Sequence, residues 1–482
     1  MASELVEPGY SPVLSGRQVR MIAIGGAIGV GLFLGSGGRL AAAGPALVLT
    51  YAVAGVAAFF VMRALGELVL HRPTSGSFVD YAHEFVGPWA SFASGWMYWI
   101  NWAFTGIAEL TAIATYFSKW APHVPQWVVA LGALVLVLAV NLLSVRLFGE
   151  LEFWFALLKV LAITLFLFVG TWLVVFSVND AGVHNLGAGG GFTPHGLPIV
   201  VMSLQAVIFA YSGIELVGIA AGETKNVHQV MPKAINGVVW RIAIFYVGSV
   251  LLLTLVLPWT AYSGDQSPFV TVFNSLGVPW AGDAMNVVVI TAATSSCNSG
   301  LYSTGRILRA MALKGEAPAV TSRMSRRHVP YGGIALTAAV FLGGVFLNYL
   351  VPKQAFDIAI AIASLGVITT WGTLLFCQIR LRRAALRGEI ARPSFRMPGS
   401  PYTNWLTLGM LALVVVLMAF ADEPQRIAFY SIPLLAIAIA LGWHLVKARR
   451  GRAPRPPATG PPPLLSGPVP PPDATPPLSP RS

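Results

Sequence analysis

Apolar residues run along this chain in long stretches separated by short polar connections. Roughly twelve stretches have the about 18 to 25 residues that a helix needs to cross a hydrocarbon core. They fall at 19–37, 45–66, 88–117, 126–145, 152–176, 198–221, 235–258, 282–311, 332–350, 355–378, 404–421 and 426–446. The pattern predicts an all-α integral membrane protein of about 12 transmembrane helices. The N-terminus is polar through Arg20 and the first apolar run is already a span, so no cleavable signal peptide is expected.

Two of the stretches are interrupted, at GGAIGVGLF (25–33) and FAYSGIELVG (209–218). In hydrocarbon every backbone N–H and C=O must find a partner, so a helix breaks only where the freed groups line a protected cavity. A pair of breaks in corresponding places of two halves points to a substrate site at the membrane midplane of a secondary transporter. At the first, Gly25, Gly26, Gly29 and Gly31 leave helical geometry cheaply, and the half-helix that follows turns N–H groups and a positive dipole end toward a carboxylate. Close packing through the Gly25/Gly29 GxxxG face is the competing explanation. At the second, an unwound turn from Phe209 to Gly213 would expose carbonyls suited to an ammonium group. Donors at one break and acceptors at the other suit a zwitterionic α-amino acid.

Composition agrees: 482 residues, 56% hydrophobic and 10% charged, with mean hydropathy +0.71, leave too little polar surface for a soluble protein of this size. A net charge of +12 and pI ≈ 9.9 raise nucleic acid as a partner. The distribution of charge disposes of that idea. Arg17, Arg20, Arg72, Arg146, Lys225, Lys233, Arg241, the Arg306–Arg327 cluster and six arginines from Arg380 to Arg396 all fall on one side of the predicted spans. The other side receives Arg39, Lys119, Lys353 and Arg426. This asymmetry places both termini in the cytoplasm, with the basic residues facing anionic lipid.

Charge inside the spans narrows the chemistry, because an ionisable side chain near the bilayer centre costs at least about 2.5–3.5 kcal/mol and usually marks a pathway. Lys159 is the only charge between Glu152 and Asp180, Glu109 lies in the third span, and Glu215 follows the second break. Desolvation makes a buried lysine able to gain and lose a proton. Each has a plainer alternative: a static counter-ion for Lys159, a structural hydrogen-bond partner for Glu109, an anchor of the broken helix for Glu215. Trp96, Trp99, Trp102 and Tyr211 are gate candidates, against the commoner use of such rings as anchors or packing groups. Cys297 and Cys377 fall inside spans and read as packing residues without metal spacing. None of the eight histidines accompanies a membrane serine, so an intramembrane hydrolase is not expected. The proline-rich stretch from about 451 predicts a disordered tail, and no output domain of a sensor is visible.

The strings QVRMIAIGGAIGVGLFLGSG (18–37), ALGELVLHRPTSGSF (64–78), NLLSVRLFGELEFWFALLKV (141–160), ELVGIAAGETKN (215–226), MPKAIN (231–236) and SSCNSGLYSTGRILRAMA (295–312) resemble the amino acid permeases of the amino acid/polyamine/organocation superfamily, in their amino acid transporter branch. The likeness covers about residues 15–448 and is strongest to actinobacterial L-asparagine permeases. It implies a leucine-transporter-like fold, with two inverted five-helix repeats, helices 1 and 6 broken, and two additional C-terminal helices. The implied organisation is a cytoplasmic N-terminus (1–18), first repeat (19–176), extracellular loop (177–197), second repeat (198–378), basic cytoplasmic loop (379–403), helices 11 and 12 (404–447) and cytoplasmic tail (448–482). Backbone at Ile28, Gly29, Val30 and Gly31 would take the substrate carboxylate, and backbone at Phe209, Ala210, Ser212 and Gly213 the amino group. Lys159 stands where proton-coupled relatives carry a lysine in place of a sodium ion, which implies proton symport without other cofactors. Many relatives have GTG or GSG where this chain has GVG, so Val30 brings no hydroxyl, and side-chain selectivity is expected elsewhere, at Ser295, Ser296 and Asn298. The expected function is import of a small neutral amino acid, L-asparagine foremost, across the cell membrane. Other cargoes (γ-aminobutyrate, glycine/D-alanine, aromatic amino acids), exchange without proton coupling, and the oligomeric state stay open.

Overall fold

A computed structural model describes residues 21, 28–74, 76–143, 145–221, 224, 226–278, 280–351, 354–421 and 423–452. Gly25, Gly26 and the proline-rich tail beyond Arg452 lie outside them. Among the described residues all regular structure is helical. In chain order the α-helices are α1 (Val30–Phe33), α2 (Gly35–Ala43), α3 (Leu47–His71), α4 (Ser77–Phe85), α5 (Pro88–Phe117), α6 (Gln126–Leu143), α7 (Val145–Val175), α8 (Leu197–Met202), α9 (Leu204–Ala210) and α10 (Leu216–Ala220). They continue with α11 (Val227–Arg241), α12 (Ser249–Val256), α13 (Pro268–Ser275), α14 (Ala281–Leu313), α15 (Tyr331–Leu350), α16 (Ala355–Leu386), α17 (Tyr402–Met418) and α18 (Glu423–Arg452). A π-helical segment, Ile242–Gly248, joins α11 to α12.

Among these residues seven helical stretches are long and apolar enough to span a bilayer: Val30–His71, Gln126–Leu143, Arg146–Val175, Val227–Val256, Tyr331–Leu350, Ala355–Leu386 and Glu423–Arg449. The helices α5 and α14 are as long but more polar, and their position explains it. They pack against each other, and α5 also lies along α16, so their polar residues Asn101, Thr105, Glu109, Ser295, Ser296 and Asn298 are buried in protein. Glycines let the backbones close up. A Cβ on Gly300 of α14 would lie 2.7 Å from the Trp102 ring, and one on Gly366 of α16 would lie 2.5 Å from the Asn101 Cβ.

Several boundaries differ from the apolar pattern. Helix α7 begins at Val145 rather than 152, and α16 runs to Leu386 rather than 378, because a helix continues past the apolar window wherever polar residues can reach water or protein partners. Two short amphipathic helices, α4 and α13, lie outside the predicted spans. Asp80 on α4 bonds the Thr74 hydroxyl and the Lys314 ammonium beyond α14. The basic segment after α16 is docked onto the bundle. The buried Glu67 of α3 accepts from Arg392 Nε at 2.6 Å, Met397 N–H at 2.9 Å and Gln378 Nε2 at 2.9 Å. One turn earlier Arg63 donates to the Arg396 carbonyl at 2.6 Å and to Asn236 Oδ1 at 2.9 Å, with its guanidinium over the Phe395 ring.

Candidate functional site

The first break is visible from Ile28 onward. Gly29 is extended (φ −121°, ψ −165°) and caps α1, and Leu34 (φ −109°, ψ −51°) bends the chain between α1 and α2. The Ile28 carbonyl, left without a helical donor, accepts from Lys159 Nζ at 3.0 Å. Gly29 faces α5 and α14: a Cβ there would lie 3.1 Å from Glu109 Oε1 and 3.5 Å from Ser296 Oγ. The Glu109 carboxylate lies with Ser296 against Gly29, so an acidic side chain already stands at the N-terminal end of the half-helix.

The second break lies slightly later than the apolar pattern suggests. Phe209 and Ala210 are still helical, and the unwound residues are Tyr211–Glu215. Gly213 has φ +92°, a conformation that side chains rarely adopt. The Phe209 carbonyl is used by the Ser212 N–H at 2.9 Å and the Gly213 carbonyl by the Leu216 N–H at 3.1 Å. Glu215 folds back so that Oε1 accepts the Gly213 N–H at 3.4 Å. The two breaks meet backbone to backbone, since a Cβ on Gly31 would lie 2.6 Å from the Ala210 Cα. Within the second break the Ser212 hydroxyl and Glu215 Oε2, and against the first break Glu109 Oε2, are buried without a hydrogen-bond partner. Buried polar atoms are rarely left so, and here they offer hydrogen-bonding capacity to a polar ligand.

The structure separates the other candidates. Ser296 faces the first break, whereas Ser295 and Asn298 point to α7: Ser295 Oγ donates to Glu152 Oε1 at 2.6 Å and Asn298 Nδ2 approaches Glu152 Oε2 at 3.5 Å. Asn141 of α6 completes the group through Asn298 Oδ1 at 2.7 Å. Glu152 is the residue that sequence reasoning passed over, because it falls at the edge of an apolar window rather than inside one. Its signal is the spacing of seven residues to Lys159, which puts both on one helix face. Tyr211 is turned away from the break, donating to the Tyr51 carbonyl at 2.9 Å and stacking on Tyr246 at 4.5 Å. Trp96 bonds the Glu316 carbonyl and Trp99 the Thr337 hydroxyl, while Trp102 is buried against Tyr98. In this conformation Tyr211, Trp96 and Trp99 are each tied to another element, whereas the Trp102 Nε1 is buried without a hydrogen-bond partner. Among the described residues no cluster of His, Cys, Asp and Glu could hold a metal ion.

This combination of two facing breaks, a lysine on the first and acids beside it agrees with the comparison to known proteins. The profile of the amino acid permeases matches residues 18–453. The chain belongs to the amino acid permease family. Among relatives of this permease, the L-asparagine permease of Salmonella typhimurium is 55% identical over 449 residues, covering 92% of this chain and 90% of the relative. The L-asparagine permease of Escherichia coli is 54% identical with the same coverage. That of the actinobacterium Streptomyces coelicolor is 54% identical, covering 92% of each chain. Membership makes the permease an amino acid transporter of the membrane and agrees with its apolar helices.

Proposed function

We propose that this permease imports L-asparagine into the cell by proton symport and alternating access around the two broken helices. The observation that carries the reading is the meeting of the two broken helices: Gly31 against Ala210, Lys159 on the Ile28 carbonyl, and partnerless oxygens on Ser212 and Glu215 of the second break and on Glu109 against the first. A zwitterion bound there would lay its carboxylate toward Gly29–Gly31 and its ammonium toward the turn at Ser212–Gly213. The cargo follows from the names of relatives at 53–55% identity across 92% of the chain. The finer architecture belongs to the same reading: twelve spans in two inverted five-helix repeats with two added helices, in the cell membrane, and the arginine-rich side with both termini in the cytoplasm.

In this mechanism protonated Lys159 holds the Ile28 carbonyl and with it the first break in its closed arrangement. Loss of the proton on the inward side loosens that bond and releases substrate. The test is uptake of labelled L-asparagine into proteoliposomes under an inward proton gradient, with unlabelled amino acids as competitors and a proton ionophore. Accumulation that the ionophore abolishes and asparagine competes best is the expected result. Lys159→Ala is expected to lose concentrative uptake, and a variant that still accumulates substrate under an imposed pH difference would remove lysine from the mechanism.

A further inference from the structure

Helix α18 is the most exposed of the seven apolar stretches: in its most apolar 18 residues none is buried. Its Leu435, Ala438, Gly442, Val446 and Arg449 share one face by helical spacing, and that face lines a crevice of about 330 Å³. Phe92, Trp96 and Ile100 of α5 form the opposite wall. The two helices touch where a Cβ on Gly442 would lie 2.9 Å from the Phe92 ring and where Trp443 packs on Phe92 and Trp89, with ring centres 5.7 and 6.0 Å apart. Residues 315–318, just beyond α14, complete the lining. That turn is held in place: Trp96 Nε1 donates to the Glu316 carbonyl at 3.2 Å and Ser91 Oγ to Glu316 Oε2 at 2.8 Å. The walls are therefore preformed. A second apolar cavity of about 240 Å³, among α5, α16, α17 and α18, shares Leu435 and Ile439 with the first.

The crevice runs along α18 from Leu435 to Arg449, about 21 Å, against about 15 Å for the hydrocarbon of one leaflet. Apolar walls of that length suit an acyl chain, and the last position is a cation. Charge accumulates at that end: Lys447, Arg449, Arg450, Arg452 and Arg455 fall within nine residues, and no acid stands between Glu423 and Asp473. Lys447 and Arg449 are exposed. Glu316, the acid in the lining, keeps its carboxylate buried and turned to Ser91 and His83. A row of cations directly beyond a membrane helix attracts anionic headgroups by about 1 kcal/mol per Lys or Arg.

We propose that the crevice between α5 and α18 binds one anionic phospholipid, with an acyl chain along the crevice and the headgroup phosphate on Arg449. The inference rests on α18 lying in the bilayer, and on neither the cargo nor proton coupling. An apolar crevice at that depth takes up a chain rather than water, because water there would lack polar partners. A zwitterionic headgroup brings an ammonium that the same cations repel, so the site selects for net negative charge.

The experiment replaces Ala438, on the crevice face, by a photoreactive benzophenone residue in the full-length permease. The protein is placed in vesicles of equal phosphatidylglycerol and phosphatidylcholine with the same acyl chains, and the adduct formed on illumination is identified by mass. Phosphatidylglycerol is expected to exceed phosphatidylcholine in the adduct by about tenfold or more, and Arg449→Gln to cut that preference by about fivefold. The same label at Ile437, which is 57% exposed and does not line the crevice, should take the two lipids in near-equal share. An equal preference at both positions overturns the proposal, because it describes the lipid annulus and not a site. Near-equal labelling at Ala438, an unchanged preference in Arg449→Gln, or an adduct with residues 453–482 or with a second copy in place of lipid also overturns it. If the protein labelled at Ala438 does not insert, Leu445, which lines the same crevice and is 64% exposed, takes the label instead. No lipid adduct at any of these positions removes the membrane reading of α18 first, and the site with it.

Discussion

At the scale of single residues the site depends on backbone that comes close enough to touch. The chain needs no side chain at Gly31, because a methyl group would sit 2.6 Å from the Ala210 Cα, a backbone atom that cannot turn aside. Gly31→Ala is expected to cost the junction about 1–3 kcal/mol of overpacking. Since about 1.4 kcal/mol is tenfold in rate, uptake per inserted protein should fall by about fivefold to about 150-fold if the whole cost falls on the rate-limiting step. Gly343→Ala, where nothing lies within 4 Å of the added carbon, should be neutral in the same assay. Unchanged uptake in Gly31→Ala would mean that the contact is no part of the working cycle. The same scale shows why Ser295 and Ser296 have different partners. Neighbours on a helix point about 100° apart, so one serine reaches α7 and the other the first break.

At the scale of elements, the notable device is the segment between α16 and α17 that is fastened onto α3. Glu67 accepts from three donors at once, and its side chain is fully buried while that of Arg392 is 19% exposed. Replacing its acceptor-only carboxylate by an amide sets a donor against donors. Glu67→Gln is expected to destabilise the protein by about 1.5–3 kcal/mol, the range for one hydrogen bond to a charged group. A lower unfolding temperature in detergent, with faster proteolysis between 387 and 401, is the signature to look for. An unaltered melt would show that the docked segment contributes nothing to stability. None of this could be read from hydropathy, since the partners are 311–330 residues apart in sequence.

At the scale of the whole molecule α4 packs against the α10 half of the second broken helix through Gly218 and Ser77. Asp80 and Lys314 fasten α4 to the end of α14, and Ser91 and Glu316 add a buried hydrogen bond of 2.8 Å beside them. If the molecule works by alternating access, these contacts must part when the inward side opens. Lys314→Gln is then expected to raise the labelling rate of a cysteine placed at Ser212, in a background lacking Cys297 and Cys377, by a membrane-impermeant thiol reagent applied from the cytoplasmic face. Equal labelling with and without the substitution would exclude the pair as part of the inward closure.

The sequence by itself determined the membrane solvent, the all-helical class, the two interrupted spans and the lone lysine, because each follows from a local rule: hydrocarbon forbids unpaired backbone and penalises isolated charge. Its signals are strongest where one residue breaks a long apolar run, as at Lys159 and Gly213. The tertiary structure alone decided what those residues meet. It brought Gly31 against Ala210, shifted the second break to Tyr211–Glu215, turned Tyr211 onto Tyr51 and Tyr246, and gave Glu152 to Ser295 and Asn298. Apolar periodicity says that a helix is buried but not which neighbour it faces. That choice is made by the packing of several helices at once, over separations in sequence of more than a hundred residues.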